Sequence, residues 1–224
     1  MDPDSLIDGL RRQPLLVVLR ADQPLQLQGR LAALAQLGLV HVEIAWTPHP
    51  AWVEQLIQLR FGNPSLKLGA ASVTSLEALA AVSEAGLAYA MAPILSAELI
   101  SAARQAQLLL VPGVFSPSEV QAAKEQGCRL VKLFPAASLG PDHWARLRAP
   151  LGGLPFCIAA GGLATADVEP WLAAGVDAVT LGASVAGPAG LATLAPLLER
   201  WRRRQLSVVS SPGMAPAAIS PAGL

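Results

Sequence analysis

The chain has 224 residues, sixteen Lys and Arg against sixteen Asp and Glu, three His and 53% apolar side chains. That length suits one well-buried core without forcing a second domain, and a formal charge of zero gives no electrostatic grounds for binding nucleic acid or an anionic membrane surface. No stretch approaches the roughly eighteen consecutive apolar residues that span a bilayer. The opening MDPDSLIDGLRRQ places acids ahead of its arginines and lacks the apolar segment of a secretory signal, and Cys128 and Cys157 have neither metal nor redox spacing. A soluble cytoplasmic protein is expected.

After a short amphipathic lead helix, eight apolar strand-like runs alternate with helical stretches up to about Arg204. They are LLVVLR from Leu15, HVEIAW from His41, KLGAA from Lys67, YAMAP from Tyr89, LLLVPG from Leu108, LVKLFP from Leu130, FCIAAG from Phe156 and AVTLGA from Ala178. Between them lie Ala/Leu/Glu/Gln-rich segments, several closing on the glycine expected just past a helix end. Strict strand and helix alternation demands a parallel sheet, and eight units close into a single α/β domain of the (β/α)8 barrel type. A doubly wound open sheet competes, but the first strand runs into LRADQP with no glycine-rich dinucleotide turn. The barrel is expected over residues 1–205. The remainder, 206–224, is rich in Pro, Ala, Ser and Gly and is expected to be disordered.

One stretch carries the chemistry. In LVKLFPAAS, Lys132 sits inside a run of Leu130, Val131, Leu133 and Phe134 that reads as a strand buried on both faces. An unpaired ammonium buried there tends to give up its proton, and a neutral lysine is a nucleophile for carbonyl carbon. Period-two geometry puts Phe134 on the same face. Lys67, near a strand start, and Lys124, in a polar helical stretch, lack that setting. A structural charge is the competing view of Lys132.

In such a barrel, function gathers at the C-terminal ends of the strands. The polar groups falling there or facing inward are Arg20, Glu43, Thr47, Ser72 and Lys132, followed by Gly161, Gly162 and Ser184 in the last two loops. A carboxylate at Glu43 can shuttle protons for a barrel amine, or it can form a structural ion pair with Lys132. Glycines at Gly161 and Gly162 allow a phosphate to approach backbone N–H groups, though the pair could equally be an ordinary turn. Arg20 could clamp an anion or could be a surface charge at a strand end. His41, His49 and His143 show no metal-ligand spacing, so no metal is expected.

Taken together, HVEIAWTP, GAASV, MAPIL, VPGVFSPSE, VKLFPAAS, AAGGL and LGASV resemble the class I aldolases for 2-keto-3-deoxy-6-phosphogluconate and 4-hydroxy-2-oxoglutarate. The resemblance runs from about Leu15 to Val185 with the motifs in the family's order. It implies a (β/α)8 barrel that assembles as a homotrimer and a Schiff-base lyase that uses no cofactor on a small 2-keto acid. By position, Lys132 matches the imine lysine and Glu43 the acid–base glutamate. Phe134 and Pro93 match the pyruvate pocket, Ser72 a threonine that touches the keto acid's carboxylate, and Gly161, Gly162 and Ser184 the phosphate loops. Thr47 stands where many relatives carry an arginine, while others carry one where Arg20 stands. Ala160 and Ala137 replace the family's threonine before the glycine pair and the glutamate of its KxFPxE motif. Those two departures bring in an alternative substrate, oxaloacetate, decarboxylated through the same imine. A non-catalytic phosphate-binding barrel, or an isomerase, is the alternative from another class.

Overall fold

A computed structural model describes residues 1–185 and 187–209. Helix α1, Pro3–Arg12, starts on Asp2, whose carboxylate accepts from the Ser5 amide and hydroxyl. Pro3 opens the first turn, Asp4 follows it, and Arg11 and Arg12 lie in the last turn, so charges and caps agree with the helix dipole. Its apolar stripe, Leu6, Ile7 and Leu10, is buried.

The strands are β1 Leu15–Leu19, β2 His41–Ala45, β3 Lys67–Ala71, β4 Ala90–Met91, β5 Leu110–Val111, β6 Gly113–Val114, β7 Leu130–Leu133, β8 Phe156–Ala160 and β9 Ala178–Leu181. All pairings are parallel, in the order β5-β4-β3-β2-β1-β9-β8-β7-β6. The nine segments correspond to eight strands because β5 and β6 are halves of one, separated by Pro112. Proline has no N–H to give the ladder. Its carbonyl still accepts from the Lys132 amide at 2.8 Å, and Gly113 N–H reaches Ile94 O at 3.1 Å. Hydrogen bonding therefore continues past the break, and the sheet closes as an α/β barrel.

On most strands, alternate residues belong to two separate apolar clusters. Outward residues such as Val17, Ile44, Val131, Ala159 and Val179 pack under a ring of helices. These are α2 Gln28–Gln36, α3 Trp52–Gly62, α4 Leu76–Glu84, α5 Ala97–Gln105, α6 Pro117–Glu125, the short α7 Asp142–Arg146 and α8 Arg148–Leu151, α9 Val168–Ala173 and α10 Pro188–Val209. Ser75, Ser96 and Ser116 cap α4, α5 and α6, the last with a reciprocal bond from Ser116 N–H to Glu119. Inward residues, among them Leu16, Tyr89, Val111, Leu130 and Ile158, pack on Leu6, Ile7 and Leu10, so α1 forms the barrel floor.

Helix α10 continues to Val209, so residues 206–209 are helical. The rest of the expected disordered tail lies outside the described residues. Among the described residues, no helix is long and apolar enough to cross a membrane.

Two polar side chains share the lower interior. His41 is buried with its ring 6.2 Å from that of Tyr89, and burial, reinforced by Lys67 and Arg12, holds its pKa down to about 4. Tyr89 fills the space left by the missing side chain of Gly69, whose Cβ would collide with the phenol ring. The Gly69→Ala variant should therefore lose about 1–3 kcal/mol of stability in urea denaturation, since neither strand backbone nor a fully buried ring can yield cheaply.

Candidate active site

Lys132 and Glu43 lie on β7 and β2, four steps apart in the strand order and so on opposite walls of the barrel. Both belong to the inward-facing set: Glu43 is paired in register with Val18 and Gly69, and Lys132 with Gly113 and Ile158. Glu43 is completely buried and Lys132 is 6% exposed. Neither carboxyl oxygen of Glu43 has a hydrogen-bond partner, and no ion pair joins the two residues among the described residues. The structural salt bridge weighed from the sequence is not formed.

Burial acts on both groups in the same sense, toward the neutral form. It pushes the Glu43 carboxyl up to about 7, against the opposing attraction of Lys132 and Arg20. It pulls the Lys132 ammonium below its ordinary value, against Glu43 and with the help of Arg20. The Lys132 Nζ lies 5.0 Å from the centroid of the Phe134 ring, which covers the amine with an aromatic face. A dry, weakly basic amine facing a weakly acidic carboxyl is suited to carbinolamine and imine chemistry, where one group attacks and the other moves protons.

Above Lys132 opens a cavity of about 320 Å³ at the C-terminal ends of β1, β7, β8 and β9. It brings together Arg20, Lys132, Phe134, Gly161, Gly162 and Ser184 from the sequence-derived set. Glu43, Thr47, Ser72 and Pro93 do not line it, Glu43 being fully buried. Ser72 joins indirectly, because its Oγ accepts from Arg20 Nη1 at 3.0 Å. Its φ of 62° places a non-glycine residue in the left-handed region, a strained backbone that aims the side chain at the guanidinium. Pro93 packs its backbone where a Cβ on Gly113 would stand, and the Thr47 hydroxyl is buried without a partner.

The loops over β7, β8 and β9 are stitched to one another. Ala137 N–H donates to Gly161 O at 3.1 Å, and Ser184 Oγ donates to Leu163 O at 3.0 Å. Gly161 and Gly162 have φ of 96° and 79°, and a Cβ on Gly161 would come within 2.9 Å of Phe134 Cδ2. Only glycine meets both demands there. The loops lead into single 3-10 turns, Thr165–Asp167 and Ala183–Val185, rather than directly into long helices. The arrangement brings Arg20 and the side-chain-free backbone of Gly161 and Gly162 together at the mouth, a setting that can accept an anion. Among the described residues, no group of three or more His, Cys, Asp and Glu is placed to hold a metal ion.

Two interior hydroxyls escape a reading of the sequence: Thr180 Oγ1 and Tyr89 Oη are both buried without partners. Glu43 is among the charges that act on the Tyr89 phenol, which burial holds well above its ordinary value. Thr180 sits in an apolar run, and only its shared parity with Ala178, on the inward face, could have drawn attention to it.

A parallel barrel with a buried amine and a buried carboxyl on opposite walls defines a class, and comparison with known proteins narrows it. Residues 6–193 match the family described as KDPG and KHG aldolase. A Pseudomonas aeruginosa 2-dehydro-3-deoxy-phosphogluconate aldolase is 32% identical over 170 residues, 75% of this chain and 76% of that one. A Rhizobium meliloti protein named as a probable 2-dehydro-3-deoxy-6-phosphogalactonate aldolase is 27% identical over 176 residues, covering 79% and 83%. Among solved structures, the 2-keto-3-deoxy-6-phospho-gluconate aldolase of Zymomonas mobilis superposes with a TM-score of 0.74 at 25% identity, over 89% of this chain and 95% of that one. The chain belongs to the KDPG and KHG aldolase family, and is thus a carbon–carbon lyase.

The raised value of Glu43 has a consequence for stability. A carboxyl whose folded pKa exceeds its unfolded one contributes fully below its ordinary value of 4.5, and that contribution is lost as pH rises through about 7. The Glu43→Gln variant should gain on the wild type by on the order of 3 kcal/mol between about pH 4 and about pH 9 in denaturant titrations. A difference that stays constant with pH would show that the carboxyl titrates normally.

Proposed function

We propose that the protein is a class I aldolase in which Lys132 forms a Schiff base with the C2 carbonyl of a 2-keto acid. The observation that carries this is the opposed pair of buried, neutral-leaning groups, Lys132 and Glu43, the amine lining a cavity with Arg20 and two glycines at its mouth. The neutral amine attacks C2. Glu43 relays protons as the carbinolamine loses water, then takes the C4 hydroxyl proton, directly or through a water. The C3–C4 bond breaks to leave an enamine on Lys132 and an aldehyde. Protonation at C3 and hydrolysis release pyruvate and restore the amine.

The substrate proposed first is 2-keto-3-deoxy-6-phosphogluconate, cleaved to pyruvate and glyceraldehyde 3-phosphate, with 4-hydroxy-2-oxoglutarate, cleaved to pyruvate and glyoxylate, as a second. Support for a phosphorylated substrate comes from the backbone amides that Gly161, Gly162 and the Ser184 turn present beside Arg20, with Ser72 holding the guanidinium. The phosphate would sit on those amides. A homotrimer in the cytoplasm is proposed as the working state, and the exposed apolar side chains Leu76, Ile94 and Phe115 offer surface for contact between copies.

Reduction with borohydride in the presence of pyruvate, followed by peptide mass mapping, tests the mechanism. A stable adduct on Lys132 is expected, with none in Lys132→Met; absence of the adduct from the wild type rejects the imine. Glu43→Gln should lower kcat by roughly 10²–10⁴-fold, the usual scale of general acid–base help. The kcat/KM of the wild type should change through about pH 7, where Glu43 titrates, and the variant should lack that limb. Comparing kcat/KM for the phosphorylated sugar acid and for oxaloacetate separates aldol cleavage from decarboxylation.

A further inference from the structure

The cavity above Lys132 contains one side-chain hydroxyl with no assigned use. Its apolar wall includes Val18, Phe134, Ala160 and Leu163, and the polar residues in its lining are Arg20, Lys132, Thr180 and Ser184. Arg20 is engaged with Ser72, and the Ser184 hydroxyl donates its proton to Leu163 O. Thr180 Oγ1 is buried and without a partner, on a residue only 3% exposed. A buried hydroxyl with nothing to bond costs about 1–3 kcal/mol, so an uncommitted one lining a cavity is shaped for a ligand.

Its position says which part of a ligand it would meet. The rung of the barrel that holds Lys132 continues through Ile158 to Ala178, and the next inward-facing rung, two residues on, pairs Ala160 with Thr180. Thr180 therefore stands one rung above the base of the amine's strand position and two residues before Gly182, at the foot of the Ser184 loop. A molecule joined to Lys132 at one end and held by the loop amides at the other passes this hydroxyl with its middle carbons. Across the pair, Ala160 presents only a methyl group.

We propose that Thr180 is a specificity-determining residue that hydrogen-bonds the substrate hydroxyl lying between the scissile C3–C4 bond and the terminal phosphate, so selecting phosphorylated aldehydes hydroxylated next to the carbonyl. The inference rests on the Lys132 imine proposed above. A site that satisfies its own buried polar atom through the substrate rejects the analogue that lacks the matching group.

The test runs the reaction in the direction of synthesis, condensing pyruvate with glyceraldehyde 3-phosphate or with the same phosphorylated three-carbon aldehyde lacking its C2 hydroxyl. The wild type should prefer the hydroxylated aldehyde in kcat/KM. In Thr180→Val, which keeps the shape and removes the hydroxyl, that preference should fall by about tenfold, whereas Thr180→Ser should retain it. Pairing Thr180→Val with Ala160→Thr, which returns a hydroxyl to the neighbouring strand position, should recover part of the preference. A Thr180→Val enzyme with the wild-type ratio, or a wild type indifferent to the hydroxyl, overturns the inference while leaving the imine intact. Failure of the wild type to trap pyruvate on Lys132 overturns both.

Discussion

Two groups that would each be charged in water are kept in one dry enclosure, and the structure depends on that constraint. The inward faces of the strands supply hydrocarbon on nearly every side, and Phe134 closes over the amine. Desolvation is the leading influence on both Lys132 and Glu43, stronger than their attraction for one another. Placing them on opposite walls preserves this balance. Adjacent strands would have let them neutralise each other as a salt bridge, at the expense of the free lone pair that nucleophilic attack requires.

Rigid geometry and local strain divide the work around this pair. The strands fix the amine and carboxyl by register, which leaves little freedom of position. The mouth is made of loops, and there precision comes from cross-links between them: Ala137 to Gly161, Ser184 to Leu163, and Arg20 to Ser72. Ser72 holds a backbone conformation that costs energy in isolation, and its bond to Arg20 gives that conformation a role. An arginine anchored in this way meets an anion with fewer rotamers to lose.

Much of this was readable before any coordinates, for a physical reason. Alternation along a strand has a period of two, so a lone Lys132 or Glu43 in an apolar run must share a face with identifiable neighbours, and the eight runs announce the barrel. Contacts that join distant segments leave no such trace. Arg20 and Ser72 are 52 positions apart, and nothing local marks them as partners. Thr47 and Pro93 lie at strand ends as the pattern suggests, yet the cavity is built without them, because which strand ends converge depends on closure of the barrel. Pro112 splits a strand in name while the ladder continues around it. Thr180 escaped notice because threonine is common in strands and its hydroxyl gains meaning only beside a cavity.

Helix α1 bears on the chemistry although it touches none of the reacting groups. By sealing one pole of the barrel with Leu6, Ile7 and Leu10, it acts as an electrical insulator. Were that pole open, solvent could rise along His41 and Tyr89 to the underside of Glu43 and return both ionisable groups toward their aqueous behaviour. The first dozen residues thus help set the basicity of an amine one inward-facing position above their apolar stripe, through the water they keep out.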